Sequence, residues 1–180
     1  MFKKFGRDEL SPLKQLKASQ AKHVKQMVLQ QYPGLPLDEV CPKEYPLFQC
    51  TLKADKSTTL ILNNNKIVFI QQGEVFTPTL LIASTYPQMM KQVQVDKGAF
   101  KHVLSGSNIM APGLTSAGGK LPDGLEKGMH VLIMGEEKQY PLGIGIMTMP
   151  SQEVREKNSG IAIELMQYAG DGLWMDCLDH

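Results

Sequence analysis

Apolar positions recur at helical spacing early in the chain and in short, strand-like runs afterwards. In "LSPLKQLKASQAKHVKQMVLQQYPGLP", Leu13, Leu16, Val24, Met27 and Val28 fall near one helical face. Ser11 is placed as an N-cap, Pro12 as the first helical residue, and Pro33 and Gly34 as the stop. "LFQCTLK" reads as a strand, and "TTLILNNNKIVFIQQG" as two strands joined by an asparagine turn, since Asn tolerates positive φ. "TPTLLIASTYPQMM" is read as a short helix. This pattern predicts a small α+β unit ending near Met90.

A second pattern follows. Val93 and Val95 alternate as in a strand, and Asp96 is placed to cap a short helix whose apolar face is Ala99, Phe100, Val103 and Leu104. Gly106 stands where a left-handed C′ glycine ends a helix. "MHVLIMG", "YPLGIGIMTM" and "GIAIELMQYA" are three further strands. Short strands around one short helix predict a barrel or pseudobarrel. The small-residue stretch 105–119, "SGSNIMAPGLTSAGG", lets backbone lie close to a neighbour, either another strand or a ligand.

Composition narrows the class of protein. The 180 residues are 42% hydrophobic with net charge +1, so a packed core is expected and any nucleic-acid contact must come from a local patch. Charge is polarised: residues 1–25 hold seven basic residues against two acids, and residues 151–180 two against six. Such asymmetry fits oriented contacts as well as an ordinary solvated helix and acidic tail. Cys41, Cys50 and Cys177 lack disulfide or zinc spacing and read as reduced thiols of a cytoplasmic protein. The basic start has no apolar core of a signal peptide, and no run is long enough to cross a membrane.

Catalytic constellations are not evident. His102 lies near Ser105 without an acid to orient it. Gly143–Ile144–Gly145 is a lone GxG inside a strand pattern. His23, His130 and His180 do not combine with the cysteines at metal spacing, so neither metal nor cofactor is expected. The eleven methionines fit either core filling or an adaptable surface. Trp174, in "DGLW", is expected to anchor the C-terminal segment.

"VDKGAFKHVLSGSNIMAPGLTSAGG" followed by "GMHVLIMGEEKQYPLGIGIMTM" resembles a PUA domain, an RNA-binding pseudobarrel. With "MFKKF" and "DGLW" the likeness extends over nearly the whole chain to the malignant T-cell-amplified sequence family of translation factors, more loosely over 41–73. The resemblance implies an α+β fold: an N-terminal pre-PUA α+β domain (1–91) packed against a C-terminal PUA β-pseudobarrel (92–180). It implies RNA lying against the short helix, the loop Gly106, Ser107 and Asn108, and a strand formed by Met110, Ala111, Pro112 and Gly113. Lys97 and Lys101, one helical turn apart, are then placed to meet phosphates. The implied function is non-catalytic: tRNA handling on the small ribosomal subunit in recycling and reinitiation. The PUA domain would hold the tRNA acceptor end, and the pre-PUA domain would carry contacts to small-subunit ribosomal RNA and density-regulated protein. The alternative is a PUA-containing subunit of an RNA-modifying enzyme. That needs a catalytic aspartate or a cofactor domain, for which the first half offers no motif.

Overall fold

Asn64 and Asn65 both adopt left-handed backbone (φ 48° and 61°) in the computed structural model, which describes residues 1–180. Two consecutive positive φ values make the tight hairpin turn that matches strand twist, as the asparagine run predicted.

In chain order the first unit holds a 3-10 turn (Arg7–Glu9), β1 (Lys14–Gln15), α1 (Ala18–Gln31), α2 (Leu37–Val40), β2 (Leu47–Thr51), β3 (Thr58–Asn63), β4 (Lys66–Gln72), β5 (Val75–Pro78), α3 (Leu80–Thr85) and a 3-10 turn (Pro87–Met89). The five strands form one antiparallel sheet in the order β1-β2-β3-β4-β5. Leu60, Ile61 and Leu62 are all buried, so β3 reads as a continuous apolar run rather than an alternating one. Edge strand β5 is answered by α1: the Gln31 amide accepts from Phe76 N–H (2.8 Å) and donates to Glu74 C=O (2.7 Å). Beside it the Tyr32 hydroxyl donates to Phe76 C=O (2.6 Å), and burial pushes the phenol's pKa up.

The start of α1 differs from expectation. Ser11 caps no helix: it exchanges backbone contact with Thr51, and its hydroxyl accepts the Thr51 N–H (2.9 Å). Leu10 bridges Leu52, and Lys14 and Gln15 pair with Gln49 and Phe48, so this stretch runs extended along β2. The helix begins seven residues after Ser11, where the Lys17 N–H donates to the Gln20 side chain (3.0 Å). A long-range ladder has overridden the Ser-Pro cap signature, and Leu13 is left 47% exposed.

The second unit holds β6 (Gln92–Val95), a 3-10 turn (Lys97–Ala99), α4 (Phe100–Val103), β7 (Ile109–Met110), α5 (Ala111–Thr115), β8 (His130–Gly135), β9 (Gly143–Met147), α6 (Ser151–Lys157) and β10 (Ile161–Tyr168); α7 (Gly172–Asp179) starts in it, and its residues from Met175 onward count with the first unit. Its sheet runs β6-β8-β9-β10-β7, with β6 parallel to β8 and the other pairs antiparallel: the mixed, open pseudobarrel that the short strands predicted. Gly145 shows why "GIG" belongs here. A β-carbon at that residue would collide with the Ile163 side chain of β10, so the glycine serves close strand packing. The core gathers Val93, Val103, Leu114, Ile133 and Ile163. Leu104 is not part of it, being 44% exposed. At α7 the fully buried anchor is Leu173, with Trp174 only half-buried.

The chain divides into two compact units: Phe5–Met89 with Met175–His180, and Met1–Lys4 with Met90–Trp174. In the first, Arg7 makes a two-pronged ion pair to Asp176 of α7 (2.7 and 3.0 Å) and bonds Asn65 of the hairpin turn. No helix is long and apolar enough to cross a membrane.

Candidate RNA-binding cleft

The cleft is built from the end of β6 outward. Asp96 accepts the Ala99 N–H (3.0 Å) with one carboxylate oxygen and the Ser116 hydroxyl with the other, while its own N–H donates to Gly113 C=O (3.1 Å). One side chain thus caps the turn that starts α4, as expected from the sequence, and also ties it to α5.

The far end of α4 closes on Gly106. Gly106 N–H donates to Val103 C=O and Ser107 N–H to His102 C=O, both at 2.9 Å, the bond pair of a Schellman cap. Gly106 has φ +89°, and a β-carbon there would stand 3.1 Å from the Tyr168 ring. The glycine is required for both reasons. The Ser105 hydroxyl donates to His102 C=O (2.9 Å), which places it on the backbone rather than on the imidazole.

Asn108 plays a double part. Its side-chain oxygen accepts the Leu165 N–H (2.9 Å), fixing the loop to β10 and leaving the amide NH₂ as its donor. After it, the expected strand from Met110 to Gly113 is corrected. β7 ends at Met110, and Ala111 to Thr115 form α5. Pro112 explains the change, since it lacks an N–H for a ladder and its fixed φ suits a first helical turn. Ala111 is fully buried, its N–H bonded to Gly160 C=O (2.9 Å).

These elements enclose a cavity of about 560 Å³ with mainly apolar walls. Ser107, Asn108, Met110, Pro112 and Gly113 line it, as expected from sequence. Gly106 and Ala111 shape it from behind and do not line it, and neither do Lys97 and Lys101. Lys97 pairs with Glu137 (2.6 Å), and this hydrogen-bonded carboxylate raises the lysine's pKa. Its charge is already answered. Lys101 is exposed and makes no ion pair. Sequence reading missed Gly98, His102, Ser116 and Ile161 as lining residues. Ile161 pairs directly with Met110 across the β10–β7 ladder, and the two are 43% and 49% exposed. Two large apolar side chains side by side at a cavity mouth form a platform for a flat ligand group. In the sequence Ile161 is one apolar residue of a strand run, with no signal that it faces outward.

The other unit presents a different surface. Residues 10–37 contain no acid, and Lys14, Lys17, Lys22 and Lys25 all lie within them. None of the four takes part in an ion pair. Lys22 and Lys25 stand three residues apart on α1, so they share a side of the helix.

Residues 5–87 match the Pre-PUA-like domain family and residues 91–169 the PUA domain family. The protein is therefore of the class that joins a pre-PUA to a PUA domain. The chain is 38% identical over 183 residues to translation machinery-associated protein 20 of Schizosaccharomyces pombe, covering 99% of this chain and all of that one. It is 41% identical to malignant T-cell-amplified sequence 1 of Danio rerio over 178 residues, 97% of each. The chain belongs to the family of these two proteins. A solved structure, a hypothetical protein of Pyrococcus horikoshii, superposes with TM-score 0.69 at 26% identity, covering 91% of this chain and 98% of that one.

Proposed function

We propose that the chain is a non-catalytic RNA-binding translation factor of the cytoplasm that handles tRNA on the small ribosomal subunit in recycling and reinitiation. The observation that carries the reading is the cleft. It has a polar loop at Ser107 and Asn108, an apolar platform of Met110 and Ile161, and room for an unstacked nucleotide. Single-stranded RNA is read by such close polar contacts and by stacking on flat or apolar surfaces. The tRNA acceptor end, single-stranded at its terminus, is the ligand we assign to it. The printed names of the relatives, translation machinery-associated protein 20 among them, support a role in translation.

The pre-PUA unit then carries the larger contacts. Its unpaired lysines at 14, 17, 22 and 25 suit the phosphate backbone of small-subunit ribosomal RNA, where binding is electrostatic and independent of sequence. Density-regulated protein is the protein partner we assign to the same unit. Fractionation of cell extract on a sucrose gradient tests the reading. Co-migration with free small subunits is expected, and its loss in an Ile161→Asp, Lys22→Ala, Lys25→Ala variant. A wild-type protein confined to the top of the gradient, with no affinity for tRNA, contradicts it.

A further inference from the structure

Lys3 stands outside both domains matched by the families, which begin at residue 5 and end at 169, yet it meets the loop that leads into the cleft. Its ammonium donates to Ser105 C=O (2.9 Å), the carbonyl directly before Gly106. The segment is held in place: Phe2 is 1% exposed, and Phe2 C=O accepts the Gly172 N–H (3.0 Å). Residues Met1–Lys4 belong to the same compact unit as the cleft. We propose that Lys3 is an RNA-binding residue beside the PUA cleft, supplying a phosphate contact at the 105–107 loop from outside the matched domain.

Lys101 of α4 is exposed and without an ion pair, but only Lys3 is fixed by a hydrogen bond to the loop. The lining of the cleft brings the Asp96 carboxylate and no lysine or arginine. Lys97, the basic residue nearest in sequence, is held by Glu137. Lys3 has no carboxylate partner, is exposed, and uses one of its three N–H donors on Ser105. Two remain for a phosphate oxygen. Anchored by the buried Phe2 and the Ser105 bond, the ammonium is positioned before RNA arrives, which reduces the ordering cost of the contact. The inference rests on the cleft being the RNA site.

The test uses the full chain and an acceptor-stem RNA minihelix with its single-stranded 3′ end, with affinity measured across a salt series. Lys3→Gln keeps a donor for Ser105 C=O and removes the charge; Lys3→Arg keeps both; Ile161→Asp reports on the cleft. Lys3→Gln is expected to flatten the log–log salt slope by about 0.7, so its deficit shrinks by about 2.6-fold as salt rises from about 50 to about 200 mM. Lys3→Arg should keep the wild-type slope, and both should melt at the wild-type temperature. If Lys3→Gln keeps the wild-type slope while Ile161→Asp weakens binding, the cleft reading stands and Lys3 merely caps α4. A fall in affinity with a fall in melting temperature and no change of slope leads to the same conclusion. If Ile161→Asp binds as wild type does, the cleft reading fails and this inference with it.

Discussion

The PUA unit holds its candidate ligand surface as a recess and the pre-PUA unit as a basic stretch running from β1 into α1, and the two place different demands on the chain. The recess needs backbone geometry: a left-handed Gly106 against the Tyr168 ring, a capping Asp96, an Asn108 fastened to Leu165 N–H. Its walls carry few charges. The basic stretch around α1 needs only the absence of acids from residues 10–37 and lysines left without ion pairs. A recess of fixed shape suits a single-stranded end read group by group. An open run of charge suits a structured RNA held by its backbone, with strong dependence on salt. In the proposed function, one chain thus separates recognition from retention.

That comparison can be broken by variants acting on one side only. The largest effect is expected from replacing Lys14, Lys17, Lys22 and Lys25 together with Ala. If each meets one phosphate of a ribosomal duplex, at roughly 0.9 per contact the salt slope for small-subunit binding flattens by about 3.6. Affinity for the acceptor minihelix should not change. Sedimentation with purified small subunits across a salt series measures the first, and fluorescence anisotropy the second. A quadruple variant that binds subunits with the wild-type slope removes the helix from the account.

Ile161→Asp comes next. It sets a carboxylate on the platform with Met110, at the mouth of the proposed RNA site. A loss of about 2 kcal/mol in minihelix affinity, near thirtyfold, is expected, as for a residue central to an interface. Ile161 is a partly exposed residue, so folding stability should fall by no more than about 1 kcal/mol in urea titration. A large stability loss would show that Ile161 belongs to the core instead.

Gly106→Val sharpens the picture of how the recess is built. A β-branched residue at φ +89° costs about 1–3 kcal/mol, and its side chain must displace the Tyr168 ring. Lower thermal stability and weaker minihelix binding should appear together, with binding by the pre-PUA unit unchanged. The smallest effect separates the two lysines of the α4 region. Lys101→Ala should flatten the minihelix salt slope by up to about 0.7, and Lys97→Ala by less, because Glu137 already answers its charge. Equal slopes for the two variants would show that the Glu137 pair opens when RNA binds.

Much of the recess was legible because its parts are local. Asp96 and Gly106 bracket α4 with signals only a few residues long, and the Asn64–Asn65 turn fixes its hairpin in the same way. What escaped depends on residues far apart in the chain. Ser11 and Pro12 carry a helix-start signature, but the ladder to β2 recruits the chain at Lys14 and delays α1. Ile161 becomes a cleft residue only through its register with Met110. β5, α6 and α7 have no place in the sequence reading, which puts Thr77 and Pro78 at the start of a short helix and expects only Trp174 to anchor the C-terminal segment. Lys3 joins the cleft across 102 positions of sequence, a contact that no periodicity reports.

The separation of recess from helix is tested most directly by a crossed measurement. Wild type, Ile161→Asp and the quadruple lysine variant are each titrated against the acceptor minihelix and against purified small subunits, at one salt concentration and with matched folding stability. The account predicts that Ile161→Asp loses the minihelix and keeps the subunit, while the lysine variant loses the subunit and keeps the minihelix. Parallel losses against both ligands by either variant would contradict it, because a single shared surface would then serve both.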